Sequence, residues 1–101
     1  MADILLSQTA GLIAMTLRID CADDRVRLSG EFRSEHVIQV EAELERCGSQ
    51  CVLDLEETNL VDVESIRFLN LCEARGVTVL NASAYIRAWM QQERGSSAHQ
   101  Q

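Results

Sequence analysis

The chain has 101 residues, 47% of them apolar and 25% charged, which fits one globular domain and excludes both a second domain and wholesale disorder. Sixteen Asp and Glu against nine basic residues, all of them Arg, leave a formal net charge of −7. That charge repels a phosphate backbone and an anionic bilayer surface, so neither nucleic acid nor membrane is expected as a partner. No apolar run reaches the roughly 20 residues needed to span a bilayer. The first cation is Arg18, so the N-terminus lacks the basic region of a secretory signal and a cytoplasmic location is expected.

Residues 1–13 hold no sustained period and carry no assignment. From Met15 the pattern alternates: Met15, Leu17 and Ile19 share one face and Thr16, Arg18 and Asp20 the other, the mark of a half-buried strand. Cys21 to Asp24 reads as a turn, and Val26 and Leu28 then alternate with Arg25, Arg27 and Ser29, closing an antiparallel hairpin that Gly30 ends. Ser34 is placed to cap an amphipathic helix in which Val37, Val40, Leu44 and Cys47 recur at helical spacing, with Ile38 and Ala42 widening the stripe; Gly48 stops it. His36 falls on the solvated first turn, and Glu41, Glu43 and Glu45 on the outer face.

Cys51 to Leu55 is an apolar run broken by one acid, the pattern of a strand covered on both faces. Glu56 to Val61 is a connector, and Asp62 caps a helix beginning at Val63, with Ile66, Leu69 and Cys72 on one face and Phe68 and Leu71 beside them. After Gly76 comes a short β-branched strand, Val77–Leu80, and Ser83 caps a last helix carrying Tyr85, Ile86, Trp89 and Met90. Gly95 opens a flexible tail over 95–101. The order predicts a single α/β domain over residues 14–94, with a mixed, mostly parallel four-stranded sheet and about three helices. Cys21, Cys47, Cys51 and Cys72 read as free thiols in a reducing compartment, since the spacing of Cys47 and Cys51 matches neither a Cys-x-x-Cys redox pair nor a zinc knuckle.

Three stretches resemble the STAS family, the domain of bacterial anti-sigma-factor antagonists that also occurs in sulfate transporters. Leu28-Ser29-Gly30-Glu31-Phe32 resembles the family's Leu-x-Gly-x-hydrophobic segment. Val52-Leu53-Asp54-Leu55, followed at matching spacing by Asp62, resembles its apolar-apolar-Asp-Leu strand and the Asp of its Asp-Ser-Ser-Gly-Leu motif. Gly76-Val77-Thr78-Val79 is similar to the strand after the motif helix. The resemblance implies a STAS-like fold and a non-catalytic, cofactor-free regulatory module that binds another protein, an anti-sigma factor or a kinase-like partner, through Asp62, Val63, Glu64 and Ser65. In this register Glu64 stands where the family carries its phosphorylatable serine.

A carboxylate in the first turn of a helix is stabilised by the exposed backbone N–H groups. Glu64 is thus either a permanent counterpart of the phosphorylated state or a helix-stabilising acid. Ser65, three residues past Asp62, is placed to complete the cap, or else to accept phosphate in place of the lost hydroxyl. Two further readings stand beside the resemblance. Asp54, Asp62 and Glu64 could hold Mg²⁺ for phosphoryl transfer, although no Gly-rich loop or nucleophile pattern accompanies them. Tyr85, Trp89 and Met90 could instead pair two copies of the chain as a homodimer scaffold.

Overall fold

The computed structural model describes residues 17–48 and 50–99; the segment 1–13 and the first two residues of the expected first strand, Met15 and Thr16, lie outside them. Four strands, β1 (Leu17–Ala22), β2 (Arg25–Phe32), β3 (Val52–Val61) and β4 (Thr78–Leu80), form one sheet in the order β1-β2-β3-β4. β1 runs antiparallel to β2, and β2, β3 and β4 run parallel to one another, which is the expected mixed α/β architecture. The three helices are α1 (Val37–Cys47), α2 (Val63–Ala74) and α3 (Ala84–His99).

Alternation decides which face is covered. Val26, Leu28, Leu53, Leu55 and Val79 point one way and join Val40 and Leu44 of α1, Ile66 and Leu69 of α2, and Ile86 and Met90 of α3 in one buried cluster. Each fully buried aliphatic side chain contributes about 1.5–3 kcal/mol of transfer free energy. Arg25, Arg27 and Asp54 lie on the other face, next to one another through the register Arg25↔Val52 and Arg27↔Asp54.

Several boundaries differ from the sequence pattern, each for a local reason. β1 continues to Ala22, so the hairpin turns on Asp23 and Asp24 alone, with Asp23 at φ 53°, the left-handed region that Asp tolerates better than most residues. Gly30 does not end β2. It sits inside the strand at φ 106°, paired with Leu17 and Thr58, and the β2–β3 register slips immediately after it, so the glycine serves an irregularity in the ladder. The expected connector 56–61 is the second half of β3. Two register shifts there place its buried residues at Leu55, Thr58 and Val61, three apart, which conceals the strand from any test of strict alternation. Thr58 is anchored by its hydroxyl, which donates to the Leu28 carbonyl at 2.9 Å.

The turn before α1 is a 3₁₀ segment, Ser34–His36, capped by Arg33 rather than by Ser34. His36 is buried, not solvated, because Nδ1 accepts the Arg33 N–H at 3.2 Å and draws the ring beneath the turn. Ser83 caps α3 as the pattern predicts, its Oγ accepting the Ile86 N–H at 3.2 Å. The helix continues through Gly95 to His99, where the sequence reading places a tail. The reading of four free thiols is also corrected: Cys47 and Cys51 form a disulfide, with Cα atoms 5.5 Å apart. The cause is the turn after α1, where Gly48 sits at φ 107° and its carbonyl accepts the Cys51 N–H at 3.3 Å, folding the chain back on itself.

Candidate functional site

Asp62 ends β3 in extended conformation and caps α2, as its position predicts: Oδ1 accepts the Ser65 N–H at 2.9 Å. Its other oxygen accepts the backbone N–H of Ser34 at 2.8 Å, 28 residues away in sequence. One carboxylate therefore ties together the opening turns of two helical segments. Burial pushes the Asp62 carboxyl up, but the hydrogen bonds donated by Ser34 and Ser65 outweigh this and hold it below the ordinary carboxylate value, so it is ionised at neutral pH.

Ser65 is fully buried. Its hydroxyl lies 2.6 Å from the Phe32 carbonyl and 2.9 Å from Asp62 Oδ1, and its single proton serves these two acceptors. The side chain thus fastens α2 to the end of β2 and presents no hydroxyl to solvent. Val63 is half-buried, while Glu64 projects outward and accepts a hydrogen bond from Arg67 Nη1 at 3.2 Å; Arg67 Nε reaches Glu93 on α3 at 3.1 Å. Of the four site residues read from the sequence, all meet at one turn, and Glu64 is the one whose charged group faces out.

Beside Glu64 runs a groove of about 380 Å³ between α1 and α2. Val37 and Phe68 line it together with Glu64 and Arg67, and Ile38 and Leu71 stand along it with 81% and 44% of their surface exposed. Ile38 and Leu71 are not part of the site read from sequence. The sequence pattern counts Ile38 and Ala42 in the widened apolar stripe of α1, but both are exposed, and the face turned to the core is the narrower one of Val40 and Leu44 with the half-buried Val37 beside them.

The carboxylates of the phosphoryl-transfer reading are not brought together. Asp54 lies near the start of β3 and Asp62 just past its end, eight extended residues away, a span on the order of 25 Å. Among the described residues no three His, Cys, Asp or Glu side chains are grouped to hold a metal ion. Asp54 instead accepts hydrogen bonds from Arg25 Nη1 at 3.3 Å, from Asn81 Nδ2 at 3.1 Å and from the Glu56 N–H at 3.0 Å, with Arg27 at 3.6 Å. Its burial raises the carboxyl, yet Asn81, the Glu56 amide, Arg27 and Arg25 together hold it below the ordinary value. Of the three candidate dimer residues on α3, Met90 enters the core, while Tyr85 is exposed with its ring 5.9 Å from that of the half-buried Trp89 and tilted 46° to it. On α1, Glu41 pairs with Arg75 and Glu43 with Arg46, while Glu45 is exposed.

No protein-family model and no curated protein matches the chain. No helix among the described residues is long and apolar enough to cross a membrane.

Proposed function

We propose that this chain is a cytoplasmic, non-catalytic, STAS-like regulatory module that binds a protein partner, an anti-sigma factor or a kinase-like protein, at the opening of α2. The observation that carries the reading is the pairing of Glu64, exposed at that helix start, with the adjacent groove whose apolar walls Ile38 and Leu71 stay open to solvent. Isolated exposed apolar side chains are ordinary, but apolar walls around a concave channel beside a fixed charge are what a docking helix or loop requires. Glu64 then holds permanently the negative charge that the family's serine acquires on phosphorylation, and the buried Ser65 is part of the scaffold.

The test is capture from a bacterial lysate by the immobilised chain, identification of the bound protein by mass spectrometry, and titration of that purified protein. An anti-sigma factor or kinase-like protein is expected, with binding lost for Ile38→Asp and weakened or altered for Glu64→Ser. Ile38→Asp leaves stability within about 0.5 kcal/mol, because that side chain is already solvated. Equal binding by the wild type and both variants would overturn the proposal.

A further inference from the structure

The β1–β2 hairpin and the last turn of α1 enclose a second cleft, of about 210 Å³, lined by Cys21, Asp23, Glu43, Arg46 and Cys47. Two sulfur positions meet there in different chemical states. Cys47 is joined to Cys51, whereas Cys21 is an exposed free thiol. The Cys21 thiol donates to Glu43 Oε1 at 3.3 Å, and Cys47 Sγ lies 3.9 Å from the Asp23 carbonyl on the same hairpin. Glu43 and Cys47 are four residues apart on α1, so their side chains are neighbours on one face, about 6 Å apart at Cβ. The thiol is therefore hydrogen-bonded to the residue one helical turn before Cys47, beside a cleft that both cysteines line.

We propose that Cys21, Cys47 and Cys51 form an internal thiol–disulfide exchange set with two alternative bridges, Cys47–Cys51 and Cys21–Cys47. Cys21 loses its proton, to Glu43 or to solvent, and the thiolate attacks Cys47 Sγ. The Cys21–Cys47 bond forms as the Cys47–Cys51 bond breaks, and Cys51 leaves as a thiolate that takes up a proton. The step is an isomerisation and consumes neither oxidant nor reductant. Attack falls on Cys47 because that residue lines the same cleft as Cys21, while Cys51 is only 2% exposed. One bridge closes the turn between α1 and β3; the other staples the β1–β2 hairpin to α1. Burial and the neighbouring Glu43 carboxylate raise the Cys21 thiol, so exchange is slow near neutrality and quickens as pH rises.

Tryptic mapping separates the two states, because cleavage at arginines leaves Cys21 in peptide 19–25 and both Cys47 and Cys51 in peptide 47–67. The full chain, oxidised with diamide and held in mildly alkaline buffer, is quenched with acid and labelled with a maleimide. Wild type is expected to yield both the internally bridged peptide 47–67 and the cross-linked pair, with label divided between Cys21 and Cys51. Cys51→Ser is expected to cross-link Cys21 to Cys47, and Cys21→Ser to retain only the Cys47–Cys51 bridge. Cys72, buried and with its thiol pushed up to about 12, remains unlabelled and reports that the fold is intact. The proposal is overturned if folded Cys51→Ser keeps Cys21 and Cys47 both as free thiols under oxidation that closes the bridge in Cys21→Ser. If Cys51→Ser does not fold, wild type decides: label on Cys21 alone, with no cross-linked pair, overturns it equally.

Discussion

Replacing Asp62 by Ala removes two interactions at once, and their sum can be estimated from the geometry. Loss of an N-cap acceptor costs about 1 kcal/mol. The second hydrogen bond, from the Ser34 N–H to an ionised oxygen, is worth about 1.5 kcal/mol, near the low end for charged partners because Ser34 is exposed and water replaces the acceptor. Ser65 keeps its bond to the Phe32 carbonyl, so no further term enters. The expected loss is about 2–3 kcal/mol, which for a domain of this size lowers the melting temperature by roughly 10–20 °C. Asp62→Asn keeps one carbonyl oxygen for the Ser65 N–H but turns a donor toward Ser34, so about half the loss is expected.

Urea and thermal denaturation followed by circular dichroism measure both variants. The pH dependence supplies an independent check. Because Asp62 titrates below its ordinary value of 3.8 in the folded protein, its contribution is complete above that pH and disappears as pH falls through the depressed native value. The gap between wild type and Asp62→Ala should therefore narrow in acid, though a protonated carboxyl still offers an acceptor oxygen. A loss under about 0.5 kcal/mol at neutral pH, the range of an ordinary surface change, or a gap that does not narrow in acid, would refute the assignment of Asp62 as the ionised tie between the two helix starts.

The buried carboxylate on the opposite sheet face follows the same sign. Asp54 is depressed below 3.8, so it too stabilises the fold above that pH and ceases to as acid protonates it. Asp54→Asn should cost about 1–3 kcal/mol at neutral pH and flatten the acid limb of the stability curve; the cost stays modest because Arg25 and Arg27 remain about half exposed and rehydrate. In the core, Leu69→Ala empties a fully buried site and should cost about 2–5 kcal/mol in urea denaturation, with the spread set by how far α2 settles toward the sheet.

The local signals that the sequence carried were those a few neighbouring residues could express. Alternation in 17–20 and 25–28, helical spacing in 37–47 and 63–72, and an acid placed to cap the helix at Val63 all survive into the structure, because each depends on side chains within a turn or two of one another. From them came the α/β class, the mixed sheet and the position of Asp62, Glu64 and Ser65 at one helix start.

Tertiary structure decided what those signals could not express. The second half of β3 follows β2 through two register slips, so its buried positions obey a neighbouring strand's geometry and not its own alternation. His36 is buried by the turn that folds over it, and Cys47 meets Cys51 because Gly48 reverses the chain between them. Asp62 accepts from Ser34, and Ile38 and Leu71 line one groove, only because α1 and α2 are laid side by side on one sheet. Pairings between residues tens of positions apart leave no periodic trace in the chain, since the folded backbone, and not sequence distance, sets which groups meet.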